Sequence, residues 1–348
     1  MPKRIGYLYD QVVSDDNCIQ AVIEMTKDKL KNNKAKRIRE NAVSYGKRLA
    51  SDLREGRWKP TPYLEHMIYD NHRKKERRIR VPCLRDQAVH HAVIRVMAPY
   101  IIKRNYYYNC GSIPKAGQSR AVNAVKRWMK QGYKYCAQFD VKKFYDSCSH
   151  DVAMASLKRI FKDKRFIELN KVILDSMGDG LAIGFYPAQW YANIVLMQVD
   201  RSIKQGCLPK CKYTRYMDDM LLLHNNKRHL RRAKEHIQHC LTKLKLKLKH
   251  NWQIFKASRG IKFLTYRFFR GFTLMKKDLM IRISRKARKA AKSRSPHNAK
   301  AIMSYMGILK HCNSYNFRKE WIYPIISLQK LRGVISYESK LCYKTGIS

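Results

Sequence analysis

The sequence predicts an α+β fold in which an antiparallel sheet packs against helices. Short apolar runs with β-like patterns come in neighbouring pairs, and they alternate with amphipathic stretches long enough to form helices. The composition agrees, because 45% of the 348 residues are hydrophobic, which is typical of a globular chain. A chain of this length can build two or three structural units around a sizeable core.

The first part of the chain is predicted to be helical and then to form a basic hairpin. Residues 20–55 have a polar helical pattern that ends in the Gly- and Pro-containing segment REGRWKPTPY. A strand-like segment then leads through a basic turn into a second short strand closed by Pro82, and a helix follows from about Asp86. The basic tip could bind backbone phosphates or could be an ordinary solvated loop.

The middle of the chain is predicted to supply the main sheet. YKYCAQFDVKKFYDS, residues 133–147, indicates a buried strand that stops at Asp140, and helices are expected at about 150–163 and 165–177. A Gly- and Pro-rich loop then runs into an apolar helix from about Ala188. The next segment, CKYTRYMDDMLLLH, has two short β-like halves around a pair of aspartates, which indicates a hairpin.

The last part of the chain is predicted to be basic and mostly helical. A basic helix is expected over residues 227–243, and Leu244–His250 alternates Leu with Lys at a strict period of two. That alternation predicts a strand with one buried and one cationic face. From about residue 282 the pattern is helical again, with SRSPHN as a break.

The net charge points to a polyanionic partner. With 74 Lys and Arg residues against 26 Asp and Glu residues, the formal charge is +48, and such an excess repels itself unless a polyanion neutralises it. Nucleic acid is the leading candidate. A ribosome-associated structural protein and a protein that binds anionic membranes are the alternatives.

Membrane insertion and disulfides are not expected. No run of about 18 apolar residues occurs, and the N-terminal segment MPKRIGYLYDQ lacks the apolar core of a signal peptide. The ten cysteines are scattered without a Cys-x-x-Cys pair, which favours free thiols in a reducing cytoplasm. A weaker alternative is a metal site formed by Cys207, Cys211 and His224.

Three aspartates are the candidate catalytic residues. Asp140 ends one apolar strand, while Asp218 and Asp219 lie at a hairpin between two others. If these strands are neighbours in one antiparallel sheet, three carboxylates converge, and converging hard oxygen ligands suit Mg²⁺. Two such ions can activate a 3′-hydroxyl and stabilise a leaving pyrophosphate. The alternative for the Asp pair alone is an ordinary surface turn.

Five segments in order, from about residue 65 to 270, resemble the motifs of reverse transcriptases. They are RRIRVPCLRDQAVHHAV, NCGSIPKAGQSRAV, FDVKKFYDS, YMDD and SRGIKFLTYRF. The resemblance implies an RNA-directed DNA polymerase with a right-hand fold of fingers, palm and helical thumb. It divides the chain into an N-terminal helical extension (1–59), fingers (60–132), a palm with part of the fingers interleaved (133–270) and a basic thumb (271–348).

The resemblance assigns roles to individual residues. Asp140, Asp218 and Asp219 correspond to the metal ligands, and Val141 follows Asp140 in the same metal-binding segment. Tyr145 falls where the family has an aromatic gate that excludes the 2′-hydroxyl of the incoming sugar, with a core tyrosine as the alternative.

Contacts to nucleotide and primer are implied in the same way. The triphosphate is assigned to a fingers group of Lys75, Arg77, Arg78 and Arg80, one of which need not make a contact. The basic residue that helps pyrophosphate leave is assigned to Lys249, with the two other alternating lysines of the same segment as alternatives. The primer grip is assigned to Phe263, Leu264 and Tyr266.

One loop suggests a subgroup. Ile183-Gly184-Phe185-Tyr186-Pro187-Ala188-Gln189 resembles the Ile/Leu/Val-Gly-x-x-x-Ser-Gln pattern of diversity-generating retroelement enzymes of bacteria or phages, where other reverse transcriptases have Gln-Gly-x-x-x-Ser-Pro. Ile183, Gly184 and Gln189 are therefore counted among the nucleotide-binding residues. Ile183 offers packing in place of a hydrogen bond, which weakens the discrimination between correct and incorrect nucleotides. The resemblance to the subgroup implies error-prone copying, especially opposite template adenine. Ala188 and Thr265 depart from the subgroup pattern, so an antiphage-defence or unclassified bacterial enzyme is an alternative.

The resemblance also implies cofactors and partners. These are two Mg²⁺ ions with Mn²⁺ as an alternative, dNTPs, a template RNA with its RNA/cDNA duplex, and a small basic accessory variability protein that forms an oligomeric helical bundle. No fused RNase H, protease or integrase is expected, and no membrane partner. A non-catalytic RNA-binding structural protein is the second alternative, and template-independent or protein-primed DNA synthesis on the same fold is another.

Overall fold

The computed structural model describes residues 3–70, 75–207, 210–293 and 295–344, with side chains for all of these except residues 70, 75, 205–207 and 339–344. The chain begins with four helices: α1 (Tyr9–Val12), α2 (Asp15–Thr26), α3 (Asn33–Glu40) and α4 (Ala42–Arg54). Ser14 caps α2 by accepting from the Asn17 N–H, as expected for a serine at this position.

A two-stranded ribbon and two helices follow. Strands β1 (Leu64–Asp70) and β2 (Lys75–Val81) pair antiparallel, with Leu64 opposite Val81. Then come α5 (Leu84–Arg104) and α6 (Gly117–Lys130). The predicted basic hairpin is confirmed, although residues 71–74 of its tip lie outside the described chain.

The central sheet has four antiparallel strands in the order β4-β5-β3-β6. In chain order its elements and the helices around it are β3 (Tyr135–Phe139), α7 (Phe144–Ser147), α8 (His150–Lys158), α9 (Lys164–Asp175), α10 (Ala188–Arg201), β4 (Lys212–Tyr216), β5 (Asp219–His224), α11 (Lys227–Lys243) and β6 (Gln253–Lys256). A π-helical segment, Ser202–Cys207, follows α10 directly. The predicted antiparallel sheet packed on helices is therefore confirmed.

Strand β5 separates two hydrophobic cores because its side chains alternate between the two faces of the sheet. Met220 and Leu222 belong to the core that contains residues of α8, α10 and α11. Leu221 and Leu223 belong to the core formed with α6 and the strands after residue 260. All four side chains are fully or almost fully buried, so the strand that follows the Asp pair is held from both sides.

The strand predicted over Leu244–His250 is wrong, because helix α11 ends there in a capping turn. Lys245 has a φ of 55°, its N–H donates to the Thr242 carbonyl at 2.9 Å, and the Leu246 N–H donates to the Leu241 carbonyl at 2.8 Å. These two bonds are those of a Schellman motif, whose apolar contact joins Leu246 to Leu241.

The alternation after α11 reflects burial rather than strand pairing. Leu244 and Leu246 are buried, while Lys245 and Lys247 are exposed. Within the described chain, β pairing in this segment is limited to an isolated bridge between Leu248 and Val141.

The C-terminal part combines a small sheet with four helices. Its elements are β7 (Ile261–Phe263), β8 (Tyr266–Phe268), β9 (Thr273–Met275), α12 (Lys277–Lys292), α13 (Pro296–Leu309), α14 (Tyr315–Trp321) and α15 (Leu328–Lys344). The three strands are antiparallel in chain order. The helices enclose a third core that includes Phe317, while Tyr315 and Trp321 are exposed.

Within the described residues, no helix is both long enough and apolar enough to cross a membrane. The same part of the chain contains no metal-binding cluster of His, Cys, Asp or Glu, so it gives no support to a site at Cys211 and His224. Cys211 is a buried free thiol whose pKa is raised to about 11 by burial. The side chain of Cys207 lies outside the described set.

Candidate active site

The ends of two paired strands bring the candidate carboxylates into one region. Phe139 of β3 lies opposite Met220 of β5, so Asp140, which follows Phe139, and Asp219, which precedes Met220, lie at the same end of this antiparallel strand pair. Tyr216 pairs with Asp219 across a two-residue turn formed by Met217 and Asp218. Met217 has a φ of 56°, as the first turn residue of a tight hairpin requires, although glycine is the usual residue there.

The pKa of Asp218 is raised by its burial and by the charge of Asp140. Burial is the larger cause and the Asp140 carboxylate the next, and together they raise the pKa of Asp218 from 3.8 to about 6. A smaller contribution comes from Asp219. Such a raised pKa marks a place where negative charge is concentrated without enough solvent to screen it.

Lys249 binds the other side of Asp140. Its ammonium contacts Oδ2 of Asp140, and its backbone N–H donates to the Asp140 carbonyl at 2.8 Å. The second carboxylate oxygen, Oδ1, is buried and has no hydrogen-bond partner among the described residues. A buried carboxylate oxygen without a donor is costly, and a bound cation would offset that cost.

The donor chemistry of this region fits a hard divalent cation, although the described residues do not form a complete three-ligand cluster of His, Cys, Asp or Glu. The structure brings Asp140 and Asp218 close together, and Asp219 follows Asp218 as the first residue of β5. Carboxylate oxygens are the ligands that Mg²⁺ prefers. Val141 is fully buried next to Asp140 and pairs with Leu248.

The residues that support the Met217–Asp218 turn were not predicted from the sequence. Gly111 packs so closely on it that a Cβ atom at 111 would lie 2.2 Å from the Met217 nitrogen. The adjoining residue, Cys110, donates its N–H to the Arg215 carbonyl at 2.8 Å. The sequence carried one signal for this support, which was Arg215, a charged residue within an apolar run directly before YMDD.

The basic ribbon presents its arginines in different environments. Arg78 is exposed, with its Nε 3.5 Å from a Glu65 oxygen. Arg77 is partly exposed. Lys75 pairs through its backbone with Asp70, and its side chain lies outside the described set.

Arg80 is buried, and its guanidinium is hydrogen-bonded to other protein groups. Its guanidinium donates to the carbonyls of Met177 and Asp179 and to the Glu65 carboxylate, and it lies over the Tyr63 ring at 5.3 Å. These contacts tie β2 to the loop that precedes Ile183. They leave the guanidinium committed to protein partners.

The loop with Ile183 is joined to the same strand. The Arg80 N–H donates to the Ile183 carbonyl at 2.8 Å, and Gly184 has a φ of 111° with no room for a side chain, because a Cβ there would lie 2.2 Å from the Arg80 carbonyl oxygen. Ile183 is partly buried, while Gly184 and Gln189 are exposed.

Tyr145 lies on α7, beyond Asp140. Its pKa is raised, first by burial and then by the nearby charge of Asp218. Its carbonyl accepts from the Leu181 N–H at 2.7 Å, which joins the backbone of Tyr145 to the loop that contains Ile183.

The candidate primer grip forms the β7–β8 hairpin. Phe263 and Tyr266 are buried in the core, and the Tyr266 hydroxyl donates to the Ile308 carbonyl at 2.9 Å. Leu264 occupies the turn with a φ of 54°, and Thr265 accepts a hydrogen bond from the Gln118 side chain at 2.9 Å. The turn, rather than the two aromatic rings, is therefore the part of this hairpin that can contact a ligand.

Comparisons with known proteins agree with this arrangement. Residues 68–268 match the family described as reverse transcriptase (RNA-dependent DNA polymerase). Among solved structures, apo telomerase from Candida tropicalis matches with a TM-score of 0.52 and 14% identity, covering 83% of this chain and 59% of that chain. No curated protein matched the sequence.

Two further telomerase structures give lower scores. Telomerase from Candida albicans in complex with a TWJ fragment of telomeric RNA matches with a TM-score of 0.48 and 12% identity, over 66% of this chain and 49% of that chain. Candida tropicalis telomerase truncated from its C-terminal domain matches with a TM-score of 0.48 and 14% identity, over 67% and 60%. This chain thus spans about half to three fifths of the telomerase chains.

The mixed fold with antiparallel sheets and the Candida tropicalis match confirm the predicted right-hand polymerase fold. The family match covers more than half of the chain and includes β2 with the end of β1, the Asp140 strand, the YMDD hairpin and the β7–β8 hairpin. The chain therefore belongs to the reverse transcriptase family.

Proposed function

We propose that this chain copies an RNA template into DNA by nucleotidyl transfer, with Asp140, Asp218 and Asp219 as its catalytic carboxylates. The observation that carries the proposal is the approach of Asp218 to Asp140 at the strand ends, within the segment that matches the family. The charge of +48 supports a polyanionic template and predicts binding that weakens steeply with salt.

Divalent cations, Mg²⁺ by preference and Mn²⁺ as an alternative, would be held by the three aspartates and the Val141 backbone. Enzymes of this family generally need divalent metal ions. When bound, such ions activate the 3′-hydroxyl and neutralise the leaving pyrophosphate. The protein's contribution is to hold acidic side chains on rigid strand ends, and the unpartnered Asp140 oxygen and the raised pKa of Asp218 support that role.

The incoming nucleotide would lie between the ribbon and the Ile183 loop. We assign its triphosphate to Lys75, Arg77 and Arg78, and we assign Arg80 to holding the ribbon on the loop, since its guanidinium is buried and hydrogen-bonded. Tyr145 would contact the sugar, which the effect of Asp218 on its pKa and its backbone bond to the loop support.

The remaining residues and segments are assigned the roles that the resemblance implies. Gly184 and Gln189 flank the nucleotide site, and Lys249 would protonate the departing pyrophosphate. The β7–β8 turn would hold the primer. Residues 60–132 would be the fingers, 133–270 the palm and 271–348 the thumb, with the helices before residue 60 as an extension.

Within the family, the Ile183 loop favours an error-prone enzyme of a diversity-generating retroelement from a bacterium or phage. Such an enzyme would work in the cytoplasm with a structured template RNA, dNTPs and a small basic helical-bundle partner, and it would serve mutagenic retrohoming. An antiphage-defence enzyme of the same fold is the alternative. A template/variable repeat pair beside the gene would separate the two.

Primer extension tests the activity. Wild-type protein with Mg²⁺, dNTPs and a DNA primer on an RNA template should extend the primer, and omission of the template should abolish extension. The double variant Asp218→Asn/Asp219→Asn should be inactive, while Asp146→Asn, an exposed aspartate on α7, should be active. An active double variant would refute the carboxylate assignment, and an inactive wild type that binds RNA would favour a structural RNA-binding protein.

A further inference from the structure

Arg215 is a fully buried arginine two residues before the Met217–Asp218 turn. Its Nε and one terminal nitrogen donate to the two oxygens of Asp200 on α10, at 2.8 and 2.6 Å. Its other terminal nitrogen donates to the Met217 carbonyl at 2.8 Å and lies 3.3 Å from Oδ1 of Asn193. One guanidinium thus joins a buried helix carboxylate to the backbone of the candidate metal-binding turn.

A buried Arg–Asp pair is a weak source of stability, because removing two charges from water costs about as much as their attraction returns. Apolar residues of similar volume would hold β4 against α10 at least as well. What they could not supply is a fixed donor to a backbone carbonyl. The Met217 carbonyl belongs to a non-glycine residue in the left-handed region, a conformation that persists only where its surroundings enforce it.

Asn193 extends the same set of contacts to two other parts of the site. Its Nδ2 donates to the carbonyls of Gly111 and Gln189, each at 3.1 Å, and its Oδ1 accepts from Asn109 at 2.9 Å. Gly111 is the residue that packs on Met217, and Gln189 lies in the first turn of α10, the helix that follows the Ile183 loop. The turn, the 109–111 segment and the start of α10 are therefore held by one polar network.

We propose that Arg215, oriented by Asp200, is a positioning residue that fixes the Met217–Asp218 turn in the form that binds divalent metal. The inference rests on the proposed function and adds to it a residue that contacts neither substrate nor metal. Planar guanidinium geometry is essential, because three donors must point in fixed directions at once.

The test removes the network without leaving a buried charge. In Asp200→Leu/Tyr213→Phe/Arg215→Met, both charges are gone, and so is the Tyr213 hydroxyl that donates to Asp200 at 2.7 Å. We expect a melting temperature somewhat below that of wild type, because the Met217 carbonyl loses its donor while no unpaired charge is left buried. Mn²⁺ binding to the protein without nucleic acid, followed by electron paramagnetic resonance, should weaken about 10- to 100-fold, as for other residues that orient metal ligands. In primer extension kcat should fall by a similar factor, with little change in the dNTP KM.

A matched control is Tyr191→Phe. It deletes an equally buried hydrogen bond from the same helix, 2.8 Å to Asn170, on the side that packs against α9. It should leave Mn²⁺ binding unchanged.

A folded triple variant that binds Mn²⁺ like wild type would overturn the inference. If the triple variant does not fold, Arg215→Lys is measured in its place. It keeps the charge but cannot reach Asp200 and Met217 together, so equal Mn²⁺ binding there would overturn the inference too. A further outcome is that wild type binds Mn²⁺, the triple variant or Arg215→Lys binds it more weakly, and none of the proteins extends a primer. In that case the proposed function fails, while the positioning role of Arg215 is supported.

Discussion

Lys249 follows Asp140 by 109 residues, yet it contacts Asp140 through both its ammonium and its backbone N–H. The backbone bond fixes where the lysine begins, and the ammonium then lies against one oxygen of the carboxylate. This arrangement places an ammonium group at the candidate catalytic centre.

Replacing Lys249 with methionine should slow primer extension about 100-fold or more, because a positioned general acid contributes at least that much. The KM for dNTP should change little, since the acid acts on the leaving group. Single-turnover extension measures the effect. Lys247→Met is the control, as its exposed side chain lies on the same segment. Equal losses in both variants would contradict a specific role for Lys249.

Asp218→Asn should stabilise the metal-free protein at neutral pH while abolishing activity. Folding raises the pKa of Asp218 from 3.8 to about 6, so the folded state binds this proton more tightly than the unfolded chain does. Ionisation of Asp218 above pH 6 therefore costs on the order of 1 to 3 kcal/mol of stability.

The gain from Asp218→Asn should be present at pH 7.5 and shrink as the pH falls from 6 towards 4. Urea unfolding in the presence of a chelator measures it. A less stable variant at pH 7.5 would show that burying the ionised Asp218 carboxylate beside Asp140 does not cost stability.

Gly111→Ala should disturb the metal-binding turn from outside. The new Cβ would lie 2.2 Å from the Met217 nitrogen, so the turn or the 109–111 segment must move. Overpacking of this kind costs about 1–3 kcal/mol, and we expect activity to fall more than stability alone explains. Gly271→Ala has no atom within 4 Å of its new Cβ and is the control. Unchanged activity in Gly111→Ala would mean that the turn tolerates displacement.

Arg80→Met and Arg78→Met should separate stability from nucleotide binding. Loss of the buried Arg80 guanidinium leaves the carbonyls of Met177 and Asp179 without their donor, which should lower the melting temperature. Arg78 is exposed, so its loss should raise the dNTP KM with the melting temperature unchanged. Melting curves and dNTP KM values are measured for both variants. A lower melting temperature in Arg78→Met together with a higher dNTP KM in Arg80→Met would exchange the two roles.

Ile183→Gln should lower misincorporation opposite template adenine, because a glutamine restores a polar contact that discriminates between nucleotides. Ile183→Val keeps the apolar character and should copy like wild type. Sequencing of the products on an adenine-rich template measures both. Equal error rates in all three proteins would remove Ile183 as a determinant of fidelity.

The sequence predicted the hairpin around Asp218 and Asp219 well because the signal is local: two β-like segments flank the Asp pair, although the turn itself is formed by Met217 and Asp218, and Asp219 begins β5. It predicted the Leu244–His250 segment wrongly because an alternating pattern records which side chains are buried, and a helix cap can produce the same alternation. The position of Lys245 in the left-handed region was not visible from its residue type.

The roles of Arg80 and Arg215 could not be read from the sequence for a different reason. Both are basic residues in a chain with 74 of them, and their partners are backbone carbonyls and a carboxylate that are close only after folding. Composition marks such residues as candidates for phosphate binding, whereas burial shows that they bind protein.

The alternation of β5 between two cores limits how this protein can vary during evolution. A one-residue insertion or deletion within β5 would exchange Met220 and Leu222 with Leu221 and Leu223, and each core would receive the other core's side chains. Such a change would also alter the position of Asp219 relative to the buried residues that follow it. Length changes are therefore expected to accumulate in loops such as that between α13 and α14, while β5 keeps its residue count and with it the position of the carboxylate.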